Sequence, residues 1–165
     1  MAGISGEAIR PATPADRPWL VTAMAGISDH ERTLHDSRRP GADCADAYLA
    51  QVEAAIAEHG GAILIATRCE ARLGCIAFRV AHNDNAAETP DSNVFGYVSD
   101  LFVVEPERGH GLGGRLLAEA ERHFRAAGLR RMRIGSLAAN TAAVRTYRKF
   151  GFDDYEMVLE KRLGP

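Results

Sequence analysis

The chain has 165 residues, near the usual size of one domain, and 46% of them are apolar, enough to build a core of that size. Its 20 lysines and arginines stand against 22 aspartates and glutamates, a balance that gives no field of one sign, so neither a nucleic-acid backbone nor a membrane is expected as a partner. Three cysteines, Cys44, Cys69 and Cys75, contain no C-x-x-C pair and suggest neither a disulfide framework nor a zinc knuckle. Met1 to Arg10 lacks the basic start and apolar stretch of a signal peptide, and the apolar runs are short, so a soluble, cytoplasmic single domain over residues 1–165 is expected.

In chain order, Glu7 to Arg10 reads as a short strand broken by Pro11 and Pro14, after which Asp16 is placed to cap a helix ending near Ala25. The stretch from Gly26 to Ala42 is polar and punctuated. Tyr48, Leu49, Val52 and Ile56 recur at helical spacing and stop at Gly60-Gly61, which predicts a second helix. Ala62 to Thr67 and Leu73 to Val80 are apolar runs separated by Arg68 to Arg72, the pattern of an antiparallel hairpin. His82 to Asn93 reads as a long loop and Val94 to Val104 as a third strong strand. From Leu112 to Ala127, Leu112, Leu116, Leu117, Ala120 and Phe124 share one helical face and Arg115, Glu119, Arg122 and Arg125 the other, with Gly128 ending the helix. Arg131 to Leu137 is expected as a strand, Thr141 to Phe150 as a short helix and Asp154 to Leu163 as a final strand. This order predicts an α/β fold with a mixed sheet and helices on both faces.

The stretch Phe102 to Leu117, F-V-V-E-P-E-R-G-H-G-L-G-G-R-L-L, carries a strand through a glycine-rich turn into the amphipathic helix. A helix start presents unpaired N–H groups and a partial positive charge, and glycines let a phosphate approach the backbone, so the turn suits an anion. No G-K-[ST] follows, which removes the lysine and the metal-binding hydroxyl of a nucleoside triphosphate site. Gly109, Gly111 and Gly114 spell G-x-G-x-x-G, but no acidic residue lies about 20 positions on, where a dinucleotide fold needs one, and too little chain remains for that fold.

Ser99 to Gly113, S-D-L-F-V-V-E-P-E-R-G-H-G-L-G, resembles motif A of the GCN5-related N-acetyltransferases (GNAT), with Arg108, Gly111 and Gly113 filling its Arg/Gln-x-x-Gly-x-Gly/Ala pattern. Asn140 to Phe152, N-T-A-A-V-R-T-Y-R-K-F-G-F, is similar to the second signature of that family. The resemblance implies a central mixed, mostly antiparallel sheet and transfer of acetyl from acetyl-coenzyme A, as cosubstrate, to a primary amine of a small molecule or peptide, without a metal. It also implies that the amides of Arg108, Gly109, His110, Gly111, Leu112, Gly113 and Gly114 hold the pyrophosphate. The backbone of Phe102, Val103 and Val104 would then run alongside the pantetheine, with Asn140 and Tyr147 facing the cofactor.

Tyrosine titrates near pH 10, so Tyr147 is a candidate general acid for the departing thiolate, and Asn140 is also a natural helix N-cap. The base that takes the amine proton is less marked: Asp100 and Glu105 are the candidates. Asp29, His30, Glu31, His35 and Asp36 cluster in a region that borders the acceptor site in similar proteins and suit a cationic amine. The spacing of five between His30 and His35 puts the imidazoles on different helical faces, unlike the zinc motif H-E-x-x-H. A different class of reading, a non-catalytic domain that binds coenzyme A as a sensor or dimer partner, keeps the glycine loop but needs no base. Homodimerisation is common in similar proteins.

Overall fold

The computed structural model describes residues 6–164; the first five residues of the N-terminal stretch, and Pro165, lie outside the described residues. Five strands form one sheet in the order β1-β2-β3-β4-β5: β1 (Glu7–Pro11), β2 (Gly61–Arg68), β3 (Ala71–His82), β4 (Val94–Val103) and β5 (Met132–Ile134). The first three pairings are antiparallel and β4 pairs with β5 in parallel. This is the mixed, mostly antiparallel sheet expected.

Helices cover both faces. On one side α1 (Arg17–Leu34) and α2 (Gly41–His59) pack Leu20, Ala23, Met24, Ala45 and Leu49 against Ile65 and Cys75. On the other, α4 (Leu112–Ala126) buries Leu112, Leu116, Leu117, Ala120 and Phe124 against Leu64, Ile76, Phe78 and Val98, and α5 (Thr141–Phe150) lies beside it. Between β3 and β4, the expected long loop is partly taken up by a one-turn helix, α3 (Pro90–Asn93).

The first helix does not stop near Ala25 but runs to Leu34. Gly26, read as a break, is a spacer inside it: a Cβ there would stand 3.0 Å from the ring of Phe102. Nor does Asp16 cap that helix with its side chain. Its fully buried carboxylate instead receives Arg10 Nη1 at 2.7 Å, Arg72 Nε at 2.7 Å and the Thr13 amide at 2.9 Å, tying β1 and β3 to the start of α1.

Two expectations in the second half are corrected. The strand expected over Arg131 to Leu137 is regular only from Met132 to Ile134. The final strand, Asp154 to Leu163, is absent: the chain after Phe152 has no regular structure. Residues 153–164 make no backbone hydrogen bond to any described residue, so the strand-forming Tyr155, Met157, Val158 and Leu159 have no ladder to join. Side-chain ties from Glu160 to His35 and from Arg162 to Asp36 hold the segment at the end of α1, away from the sheet.

The feature that shapes the site is a β-bulge. Ala77 pairs with Asp100 and Phe78 with Val98, leaving Ser99 as an extra residue in β4. Before it, Val98 faces the α4 side; after it, Leu101 and Val103 do, while Phe102 packs with the α1 and α2 side. The bulge thereby turns Asp100 toward α2.

Candidate functional site

β4 and β5 are paired only from Gly96 to Val98, and beyond that point they diverge. The gap opens into a cleft of about 1200 Å³ lined by Ser99 to Val103 of β4, by Gly135 to Leu137 after β5, by the glycine turn and by α5. A volume of that order exceeds a single ligand pocket and suits two substrates side by side.

The glycine turn closes one end. A 3₁₀ turn over Glu105–Glu107 leads to Gly109 and Gly111, whose φ values of 80° and 83° only glycine adopts without strain, and Gly111 is the N-cap of α4. Gly113 and Gly114 sit in the first helical turn, where the fold makes no such demand: a Cβ on Gly113 would make ordinary contacts and one on Gly114 would meet nothing within 4 Å. Glycine there forgoes about 1 kcal/mol of helix propensity relative to alanine, and it leaves the amides of the helix start bare toward the cleft. Arg108 donates from Nε to the carbonyl of Val103 at 2.9 Å, which pins the turn against the end of β4. Arg108 and Lys149 also line the cleft and add positive charge for an anion. Val104 and His110 belong to the same turn but are not among the cleft-lining residues.

The second signature falls on α5. Asn140 is the helix N-cap, its Oδ1 accepting from the Ala143 amide at 3.3 Å. Tyr147 packs edge-to-face on Phe152, with centroids 6.1 Å apart, and lines the cleft. Burial, followed by the charges of Glu31 and Asp100, pushes its phenol up to about 12, so it holds its proton at neutral pH.

At the far side lies Asp100, 6% exposed. Tyr48 of α2 donates its hydroxyl to Oδ1 at 3.0 Å, and Oδ2 is buried without a hydrogen-bond partner among the described residues. Burial raises the Asp100 pKa above the ordinary carboxylate value despite the Tyr48 bond, and the same desolvation, with Asp100 beside it, raises that of Tyr48. The other proposed base, Glu105, is exposed in the 3₁₀ turn and is not brought to the cleft.

Of the acidic and imidazole cluster, His30 and Glu31 line the cleft, with Glu31 accepting from Arg38 Nε at 2.5 Å. Asp29 is used structurally, accepting the Gly41 amide at 2.7 Å, while His35 and Asp36 face Glu160 and Arg162. Among the described residues, no group of three or more His, Cys, Asp or Glu is placed to hold a metal ion, and no helix is long and apolar enough to cross a membrane. Sequence reasoning passed over Tyr48 and Tyr97 as site residues. Tyr48 was visible only as a helical core position, 52 residues from the carboxylate it meets.

Residues 29–152 match the model of the acetyltransferase (GNAT) family. The aminoglycoside N(6')-acetyltransferase type 1 of Stenotrophomonas maltophilia is 25% identical over 160 residues, covering 96% of this chain and 94% of that protein. The uncharacterized N-acetyltransferase YycN of Bacillus subtilis is 32% identical over 76 residues, covering 46% of this chain and 47% of that protein. Among solved structures, aminoglycoside N-acetyltransferase AAC(6')-Iy in complex with CoA superposes with a TM-score of 0.70 at 21% identity, covering 95% of this chain and 94% of that one, a likeness of fold.

Proposed function

The chain belongs to the acetyltransferase (GNAT) family and is an acyltransferase, and on that premise we propose that it transfers acetyl from acetyl-coenzyme A to a primary amine of a small molecule or peptide. The whole chain acts as one such domain, in the cytoplasm, and both substrates are bound when the amine attacks. The observation that carries this reading is that one cleft holds both an open, glycine-lined helix start and a buried carboxylate with a bare oxygen.

The residues present fit coenzyme A, which supplies an activated acetyl thioester. The amides from Arg108 to Gly114 and the positive end of α4 would receive its pyrophosphate, as a helix start without a metal can. The β4 backbone from Leu101 to Val103 faces the gap with no strand beside it there among the described residues, so an extended pantetheine can pair there in the manner of an added strand. Asn140 spends its Oδ1 on the helix, which leaves its amide group for the cosubstrate.

An acceptor amine is mostly protonated near pH 7 and must lose a proton before it attacks. Asp100 Oδ2 is the group for that work: it has no hydrogen-bond partner among the described residues, Tyr48 holds the other oxygen, and burial raises the carboxyl's pKa toward the working pH. Tyr147, kept protonated, gives its proton to the departing thiolate. Tyr48 and Tyr97 give the acceptor wall an aromatic character that suits a cation, beside Glu31, whose charge is shared with Arg38. Since the Stenotrophomonas relative is named for aminoglycosides, a polyamine of that kind is the first acceptor to try.

The test is release of free thiol from acetyl-coenzyme A across a panel of amines, alongside calorimetric titration of the cosubstrate. Turnover with at least one cationic amine, lost in Tyr147→Phe with binding kept, supports the reading. Tight binding with no turnover on any amine would instead mark a coenzyme A-binding module.

A further inference from the structure

A carboxylate stands where the proposed pyrophosphate site needs positive charge. Glu107 lines the cleft at its glycine end, beside Arg108, Gly109 and Gly111. Its side chain is 19% exposed, so water and salt screen its charge poorly. Left alone, an ionised carboxylate there opposes the anion that the start of α4 and Arg108 attract.

Another strand answers that charge. Arg68, the last residue of β2, grips Glu107 with both terminal nitrogens, Nη1 to Oε1 at 2.8 Å and Nη2 to Oε2 at 3.0 Å. Nη2 also donates to Glu7 Oε2 at 3.3 Å, and the other oxygen of Glu7 accepts from Arg115 of α4. Arg115 in turn donates from Nη1 to the carbonyl of His110 at 3.4 Å. Two guanidiniums and two carboxylates therefore balance, and they tie the paired strands β1 and β2 to both limbs of the glycine turn. Exposed ion pairs contribute little. This one differs: the grip on Glu107 is bidentate, and Arg68 Nε is buried without a hydrogen-bond partner among the described residues, which leaves the two acids as the partners of that guanidinium. Arg68, foremost, holds the Glu107 carboxyl below the usual carboxylate range, so the pair is charged at neutral pH.

On the placement of the pyrophosphate given above, we propose that Arg68 is a positioning residue for acetyl-coenzyme A: it draws the Glu107 carboxylate to itself and cancels its charge, so that the glycine turn meets the phosphates as a net cation. Arg68 is not among the cleft-lining residues, and it acts through Glu107. Its loss therefore falls on cosubstrate affinity, while Asp100 and Tyr147, which belong to other elements, keep their geometry.

Calorimetric titration of the full-length chain with acetyl-coenzyme A tests this in wild type, Arg68→Met, Glu107→Gln and the double change. Arg68→Met leaves Glu107 uncancelled and should raise Kd about tenfold or more. Glu107→Gln has no charge to cancel and should bind at least as tightly as wild type. The double change should return to within about threefold of wild type, a recovery that a merely structural role for the pair would not give. With any amine that turns over, KM for acetyl-coenzyme A should follow Kd while kcat stays within about twofold. Wild-type affinity in Arg68→Met, or a double change as weak as Arg68→Met, overturns the inference and leaves the pyrophosphate placement standing. Weaker binding in Glu107→Gln overturns it without any Arg68 variant, so a failure of Arg68→Met to fold does not protect it. A wild type that does not bind acetyl-coenzyme A removes the placement itself and the inference with it.

Discussion

Replacing Gly114 by alanine should move stability and coenzyme affinity in opposite directions. Gly114 is the third residue of α4, and a Cβ on it meets nothing within 4 Å, so the free protein accommodates the methyl group without strain. Alanine gains about 1 kcal/mol over glycine in a helix interior, and we take about half of that for a first-turn position, about 0.5 kcal/mol. For a chain of this size 1 kcal/mol corresponds to about 2–4 °C, so Tm should rise by about 1–2 °C. The same methyl group stands on the cleft surface where the proposed pyrophosphate site requires phosphates to approach the helix start. A loss of at least about tenfold in Kd, or 1.4 kcal/mol, is expected. Scanning calorimetry reads the first quantity and titration with acetyl-coenzyme A the second. Unchanged affinity would refute the placement of the pyrophosphate, and a fall in Tm would show that the space beside Gly114 is not open.

Tyr147→Phe keeps the ring against Phe152 and removes only the hydroxyl; kcat should fall about 10²–10³-fold with acetyl-coenzyme A affinity within about twofold, as single-turnover and binding measurements would show. Asp100→Asn should lower kcat/KM and abolish the acid limb of its pH profile, a limb that burial places above the ordinary carboxylate range. The raised pKa also means that the ionised carboxylate weakens the fold near neutrality, an effect relieved as pH falls through the folded pKa, so Asp100→Asn should melt higher than wild type at pH 7 and lose that advantage in acid. Asp16→Ala strands two arginines that share one buried carboxylate and should cost about 3 kcal/mol in urea unfolding. Arg10, foremost, holds the Asp16 pKa far below the usual range, so its contribution is complete above about pH 4 and fades as the solution grows more acidic; the variant should show a flatter acid limb.

The parts of this fold that were readable from sequence are those whose cause is local. The amphipathic period of α4, the glycines of its entry and the capping of α5 by Asn140 each act within a few residues, and they stand where expected. Other features depend on distant partners. Gly26 carries a helix-breaking signal, yet the helix continues because its missing side chain admits Phe102. Tyr48 reaches Asp100 across 52 residues, and no pattern in either segment announces the pair. Asp16 has the spacing of a cap, but two arginines from other strands claim its carboxylate more strongly than an amide can. The expected last strand has strand-forming residues and lacks a neighbour to pair with, and propensity alone does not supply one.

The extra residue at Ser99 works like a frameshift in the pleat of β4. Were the ladder regular from Val98 on, Ser99 would stand opposite Ala77 and Asp100 would turn into the apolar packing beneath α4, so the bulge is what keeps the carboxylate on the α2 side. The face taken by the proposed proton acceptor is thus set by the register of the pairing as much as by the identity of the residue. Deleting Ser99 would leave Phe78 opposite Val98 and Ala77 opposite Asp100 as neighbouring pairs of an unbroken ladder, so the carboxylate would keep its face.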